Sequence, residues 1–432
     1  MTTFVVGCDD TPAPSVDAGG LADVETPVDL GPSVDVGVDA GRAPYDAGPS
    51  PVCGLAPRFG ALVPRGAGYT TLEPGSLAPH RLGFLVAWRE SAPRLMGGDA
   101  GPLRRDAMVF AAVGTDGTVV RGRTEVYESA AANTDVTTPV VLGRADGSAA
   151  MLFNETLASP GAREFRTDLR GAAISADAVA GAVRTVAAQH GEPFAAALPD
   201  GTPWVLTSRI TETLDGGLVI ARPTSFRLSA GLERVPEAGV DLTGIVPLEA
   251  ESVLVSPAPS GAGLVYRLGP DVRLTRFDNT GAIDLRVRTV REVGAPTLEA
   301  AAVLGDSAVM AYTDTVNGMV TVNVVVIADK GGLVLRRELE RFEGSQGRVA
   351  VTHAHGGAAV VWTRGSGDNA VLRGVVVQPD GVLRGAPREL LRVPGAEGRI
   401  VARAEGRALR FAVRTRASDG VALGFGQLCL AE

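Results

Sequence analysis

The sequence predicts an all-β chain folded as a seven-bladed β-propeller of four-stranded antiparallel blades, and three observations predict it. Seven apolar strand segments, most of them ending on an aromatic residue, recur at steps of 65, 55, 58, 46, 50 and 51 residues. A blade of four short strands with its turns occupies about 40–50 residues, so this period suits radial repetition better than stacked helices. The repeats are bracketed by Cys53 and Cys429, and the last repeat ends one strand short. A ring that borrows its missing strand from the other end of the chain explains both facts.

In chain order, the first feature is Val5-Val6-Gly7-Cys8, with small and aliphatic residues ahead of a cysteine. It resembles the lipobox of bacterial envelope lipoproteins, and the resemblance implies lipidation at Cys8 and export to the cell envelope. The seven preceding residues hold no Lys or Arg and are too few for a charged n-region and an apolar h-region. Residues 1–8 are therefore expected to be the remnant of a truncated signal. Residues 9–52 follow as a run of Asp, Pro, Gly, Val and Ala without a sustained period. Such a composition buries too little surface to offset its ordering entropy, which predicts a disordered tether. The segment holds nine acidic residues and one Arg, so it accounts for the formal charge of −8 and leaves residues 53–432 balanced.

Each repeat then reads as strand, turn, strand, loop, strand, turn, strand. The second strands are the landmarks: FLVAWRE ending at Trp88, AMLFNE at Phe153, WVLTSR at Ser208, LVYRL at Tyr266, VMAYTD at Tyr312, AVVWTR at Trp362 and RFAVRT at Val413. Upstream of them stand the turn pairs Asp146-Gly147, Asp200-Gly201, Gly305-Asp306, Gly356-Gly357 and Glu405-Gly406. Downstream, Gly117, Gly281, Gly331 or Gly332, and Gly381 can supply the positive φ of a second hairpin. The landmark aromatics fall at one mid-blade position, which predicts core packing between blades rather than a sugar-stacking ring.

The seventh repeat stops at VALGFGQLCLAE, its third strand. The segment GLAPRFGALV after Cys53 is surplus to the first repeat and supplies the fourth strand of the last, removing an exposed edge. Antiparallel pairing there brings Cys53 to Cys429, so a disulfide is expected where other blades have a turn; the alternative is two free buried thiols. A disulfide argues for an oxidising compartment, hence an envelope or extracellular location.

Composition excludes several classes. No apolar run approaches the ~18 residues of a membrane helix. Lys330 is the sole lysine and lacks a glycine-rich phosphate loop, and no G-x-G-x-x-G or G-x-S-x-G motif follows a strand. The Ser-x-Asp-x-Gly-x-x-Trp box of sialidases and the WD dipeptide are absent from the repeats. His353 and His355 share a strand face, but no third ligand is implied by sequence, so they read as polar turn residues and no metal or cofactor is expected. His80 and His190 fall near other first strands.

The residues just after each landmark occupy one equivalent position, and they are the candidate ligand ring: Arg89, Glu90, Arg209, Arg267, Asp314, Arg364 and Arg414, with Glu155 beside them. Planar guanidinium groups on a common rim suit an acidic glycan or another anion. The competing reading is a solvated ring of salt bridges with Glu90, Glu155 and Asp314. The segment 90–107, with Met96, is expected to form a long loop on that rim and a contact surface. Two functions follow: an envelope-tethered binding or scaffolding propeller for a protein or glycan, or a polysaccharide hydrolase or lyase using rim carboxylates. The first is favoured, as a monomer without nucleic-acid partners, touching the membrane only through a lipid at Cys8.

Overall fold

In the run Phe84-Leu85-Val86-Ala87-Trp88 every residue is apolar, which a strand tolerates only if both of its faces are covered. The computed structural model shows what covers them. Phe84, Val86 and Trp88 point into an apolar cluster shared with the seventh blade, whereas Leu85 and Ala87 point into one shared with the second. Strand alternation thus sends successive side chains to opposite neighbours. The structure describes Cys53 and residues 57–432, apart from 95–102, 130–133, 159–164, 214–218, 248–249, 292–296, 328–333, 345–347, 418–419 and 431–432. Cys8, the segment 9–52, Met96 and the turn at Gly331-Gly332 lie outside the described residues.

The chain forms seven antiparallel sheets. Blade 1 comprises Thr71–His80, Gly83–Arg94, Leu103–Val113 and Val119–Glu128. In blade 2 the first strand is split into Thr134–Val136 and Val140–Gly143, followed by Ala149–Ala158, Phe165–Ile174 and Arg184–Ala188. Blade 3 is Phe194–Ala197, Pro203–Thr213, Val219–Leu228 and Arg234–Asp241, and blade 4 is Glu251–Ala258, Gly261–Leu268, Asp271–Asp278 and Ile283–Arg291. Blade 5 is Ala300–Leu304, Ser307–Val316, Met319–Ile327 and Val334–Glu343, and blade 6 is Val349–Ala354, Gly357–Arg364, Val371–Val377 and Leu383–Arg392. Blade 7 has Ala396–Glu405, Ala408–Ala417, Gly420–Cys429 and, as its outer strand, Arg58–Pro64 from the other end of the chain.

First strands touch first strands around a closed circle, blade 1 to blade 2 and onward to blade 7 and back to blade 1. They therefore line the axial channel. Between blades lie seven apolar clusters, one for each interface. The landmarks are core, as expected: Trp88, Phe153, Tyr266, Tyr312 and Trp362 are fully buried, and each packs against the preceding blade. Blade 3 departs from this because its landmark, Ser208, is exposed. There Phe226 supplies the bulk instead, with the His190 ring edge-on against it.

Both hairpin sets behave as the sequence implies. Gly147, Gly201, Gly305, Gly356 and Gly406 take positive φ in the first turns, and Gly117, Gly281 and Gly381 in the second. Arg58–Pro64 pairs antiparallel with the last strand from Arg58 opposite Gln427 to Pro64 opposite Ala422. Cys53 and Cys429 are disulfide-bonded, with Cα atoms 5.8 Å apart. The expected long loop at 90–107 is instead mostly hairpin: the strands stay in register as far as Arg94 opposite Leu103. A polar network extends the pairing beyond the apolar core, with Ser91 bonded to the fully buried Asp106, whose backbone N–H donates to Ser129 Oγ at 2.9 Å.

Candidate functional site

Antiparallel pairing brings the start of each first strand and the end of each second strand to one end of the ring, called here the upper end. Pro74 pairs with Trp88, Val349 with Trp362 and Glu397 with Arg414. The rim residues expected from the landmarks therefore meet a second row, at the mouths of the first strands. Besides Glu192 of blade 3, that row is acidic in four blades: Glu73, Glu251, Glu299 and Glu397.

Each of these four glutamates is engaged. Glu73 bonds Arg89 at 2.6 Å, Glu251 pairs with Arg267, and Glu397 pairs with Arg414 at 3.2 Å. Glu299 accepts the Thr313 N–H at 2.9 Å and its hydroxyl, and the Val349 N–H at 3.5 Å. Blade 6 breaks the pattern: the residue ahead of Val349, equivalent to Glu73 ahead of Pro74, is Arg348. Among the described residues Arg348 has no ion-pair or hydrogen-bond partner. Beside it, the register of blade 7 slips between Glu397 and Ile400, where Gly398 adopts φ 73°. This bulge releases Arg399 from the ladder, and its nearest carboxylate is Glu73 at 4.0 Å.

Arg348 and Arg399 share a cleft of about 430 Å³ at the channel mouth, formed by blades 1, 5, 6 and 7. Arg89, Arg414, Glu73 and Glu299 also line it, and Glu397, which is not a lining residue, answers Arg414. Glu192, just ahead of the first strand of blade 3, feels the same charges. Its carboxyl is pushed up, chiefly by burial, with Arg399 and Arg89 pulling it down and Glu73 adding to the rise. The residue as a whole is open to solvent, and it is the burial of its carboxyl group that disfavours the charged form.

The sequence-derived candidates divide. Arg89 and Arg414 line the cleft. Arg267 stands over blade 4 against Glu251, Arg364 bonds Glu340 at 2.7 Å, and Arg209 and Asp314 are exposed on other blades. Glu90 is fully buried, taking hydrogen bonds from Trp88 Nε1 at 2.9 Å, the Gly66 N–H at 3.0 Å and the Arg123 guanidinium at 2.9 Å. Glu155 is buried against Tyr127 and Arg170. A partial ring of salt bridges thus exists with different acids: Arg89, Arg267 and Arg414 pair across their first hairpins with Glu73, Glu251 and Glu397, and Arg364 takes Glu340 of blade 5. Arg348, Arg399 and Glu192 were missed because they precede or interrupt a strand. Glu73 could have been found by folding the first hairpin back onto Arg89.

Of the histidines, His353 turns inward and meets Ser256 Oγ at 3.1 Å; its pKa is pushed down to about 4, mainly by burial. His355 is exposed in the following turn, its N–H bonded to Gly406 O at 3.0 Å. His190 is likewise pushed down to about 4 by burial, then by Arg234 and Arg209, and His80 bonds Ser175 O at 2.8 Å. No group of three potential metal ligands gathers among the described residues.

No protein-family profile and no curated protein sequence matches the chain. Among solved structures it is similar to an ulvan lyase, a polysaccharide lyase bound to -[GlcA(1-4)Rha3S]-, with TM-score 0.51, 10% identity and coverage of 83% of this chain and 95% of that one. A protein of unknown function from Dyadobacter fermentans DSM 18053 aligns with TM-score 0.43 at 10% identity, over 86% of this chain and 98% of that one. Trypanosoma rangeli sialidase, in complex with 2,3-difluorosialic acid as a covalent intermediate, aligns with TM-score 0.40 at 10% identity over 87% of this chain, which spans 59% of the sialidase. At these identities the likeness is one of propeller fold.

Proposed function

We propose that the protein is a recognition propeller of the cell envelope that takes an acidic glycan at the upper mouth of its channel. One observation carries this reading: among the described residues Arg348 has no carboxylate partner and Arg399 has only Glu73, at 4.0 Å and already bonded to Arg89, while Arg89 and Arg414 are held by Glu73 and Glu397. A guanidinium held in a partly desolvated cleft presents a planar fork of donors to a carboxylate or sulfate, and each charge-assisted bond contributes about 1.5–3 kcal/mol. In this reading a lipid on Cys8 anchors the chain, and the Asp/Pro/Gly-rich segment 9–52 holds the propeller off the membrane. The disulfide suits that oxidising setting.

The polysaccharide-cleaving alternative rests on the rim carboxylates, of which Glu90 and Glu155 have their oxygens occupied by Trp88, Arg123, Tyr127 and Arg170 and Asp314 stays exposed on blade 5. The test is retention of the full chain on immobilised polygalacturonate and heparin against neutral dextran, with eluates also sized for shortened glycan. Wild type should be retained on the acidic supports, and a variant with Arg348→Ser and Arg399→Ser should lose roughly tenfold or more in affinity. Equal retention of the two proteins would refute the site. Shortened glycan would replace recognition by catalysis.

A further inference from the structure

The opposite, lower end of the channel carries a second concentration of positive charge that the upper site does not use. Arg403 on the first strand of blade 7 and Arg410 on its second are direct cross-strand partners, so their side chains leave the same face of the sheet. Like charges directly opposite one another repel. Among the described residues only Glu405 answers them, at 4.0 Å from Arg403 and 3.4 Å from Arg410, and its side chain is 45% exposed. The Nε of each arginine is buried without a hydrogen-bond partner among the described residues. Arg410 is further braced by the Phe84 ring of blade 1, which lies 3.8 Å from its guanidinium carbon, a cation–π contact that fixes the group in place. Burial holds both guanidinium groups below their ordinary pKa, with Glu405 opposing. The charge of Arg403 also contributes to the depression of His353, behind burial.

Two fixed cations with a single partly exposed acid are an incomplete charge arrangement, yet Arg403 keeps a third of its side-chain surface open to solvent. We propose that Arg403 and Arg410 form a second ligand site at the lower end of the channel, which binds one small oxyanion of carboxylate or sulfate size. Glu405 competes for the same donors and sets a weak, millimolar affinity. The ligand would enter beside the turn Glu405-Gly406, where the first hairpin of blade 7 reaches the surface.

The site is tested in the full chain carrying Arg348→Ser and Arg399→Ser, so that the upper cleft contributes nothing. Sodium sulfate and sodium acetate are titrated at constant ionic strength while the Tm is followed. Because a ligand that binds only the native state stabilises it in a saturable way, at least one of the two anions should raise the Tm to a plateau. Adding Glu405→Gln should lower the half-saturating concentration by roughly tenfold, the effect of removing one adjacent competing charge. Adding Arg403→Met should raise the anion-free Tm by relieving repulsion and abolish the plateau. The arms distinguish a tetrahedral from a planar oxyanion. A linear, unsaturated rise, no rise with either anion, or a response unmoved by Glu405→Gln would each overturn the site. The glutamine variant keeps the test decisive even where the methionine variant misfolds.

Discussion

At the scale of single residues, charge in this molecule follows where the hairpins fold rather than where acids and bases lie in the sequence. Glu90 stands next to Arg89 in the chain, yet alternation turns Arg89 toward the channel cleft and Glu90 into the interface with blade 7. Its partner Arg123 is only partly covered. Removing one member of a buried pair leaves the other uncompensated, at about 3–5 kcal/mol. Glu90→Ala should therefore destabilise by roughly 3 kcal/mol in a urea melt, near the lower end because Glu125 also holds Arg123 at 2.9 Å. Retention on acidic polysaccharide should not change; a stable variant with altered binding would return Glu90 to the site. Glu192 gives the opposite case. Its carboxyl is raised by burial, so as pH falls through that raised value it takes up a proton while ordinary carboxylates remain charged. The mouth then gains positive charge, and retention on a sulfated glycan, which does not itself titrate there, should strengthen. Glu192→Gln should bind as strongly at neutral pH as wild type does in mild acid and show a flat profile. A variant that still tracks the wild-type pH curve would remove Glu192 from the mouth's electrostatics.

At the scale of strands, adjacent blades are joined by more than apolar surface. Ser76 Oγ accepts the Val141 N–H at 2.5 Å, Ser256 Oγ the Val303 N–H at 3.3 Å, and Thr352 Oγ1 the Ala404 N–H at 3.0 Å. Each hydroxyl lies on one first strand and each donor on the next, at blade interfaces 1 to 2, 4 to 5 and 6 to 7. First strands line the channel and lack a further sheet neighbour on that side, so the free N–H groups need another acceptor. Thr352→Val preserves shape but leaves the Ala404 N–H unanswered, and a lost buried bond of this kind costs about 1–3 kcal/mol. Denaturant unfolding should show that loss with an unchanged m-value; no loss would mean water replaces the hydroxyl. These contacts also mark the limit of what the sequence reveals. Second strands announce themselves, because an apolar run buried on both faces with a bulky end is distinctive, and the turns are fixed by Asp-Gly and Gly-Gly pairs. First strands are short, mixed in polarity and entered through irregular loops. The row that begins them, with Glu73, Arg348 and the bulged Arg399, is visible only once pairing is known. The loop expected at 90–107 failed for a related reason: Ser91, Arg105 and Asp106 break the apolar pattern of the strands, but they continue the hairpin through polar bonds.

For the whole molecule, the ring is closed by one blade whose strands come from both ends of the described chain. Blade 7 holds its outer strand, Arg58–Pro64, by an antiparallel ladder interrupted by a bulge between Phe59 and Ala61, with the stacked rings of Phe59 and Phe411 beside it. Other blades carry a covalent turn at the equivalent place; here the Cys53–Cys429 bond substitutes for it across a sequence separation of 376. Constraining so long a loop in the unfolded chain stabilises by on the order of 5 kcal/mol as an upper figure, because strain and residual structure reduce it in practice. The consequence is local as well as global. Without the bond, the outer strand is an edge strand on a short ladder, and its release would expose Leu423 and Phe425 at the interface with blade 1. A variant with Cys53→Ser and Cys429→Ser should therefore lose several kcal/mol, and its hydrogen exchange should rise first in Arg58–Pro64 and Gly420–Cys429. Blades 3 to 5, which keep every covalent turn and both neighbours, should retain wild-type protection until global unfolding. Uniform acceleration across all seven blades would instead mean that the ring opens as one cooperative unit, and that the disulfide acts only on the unfolded chain.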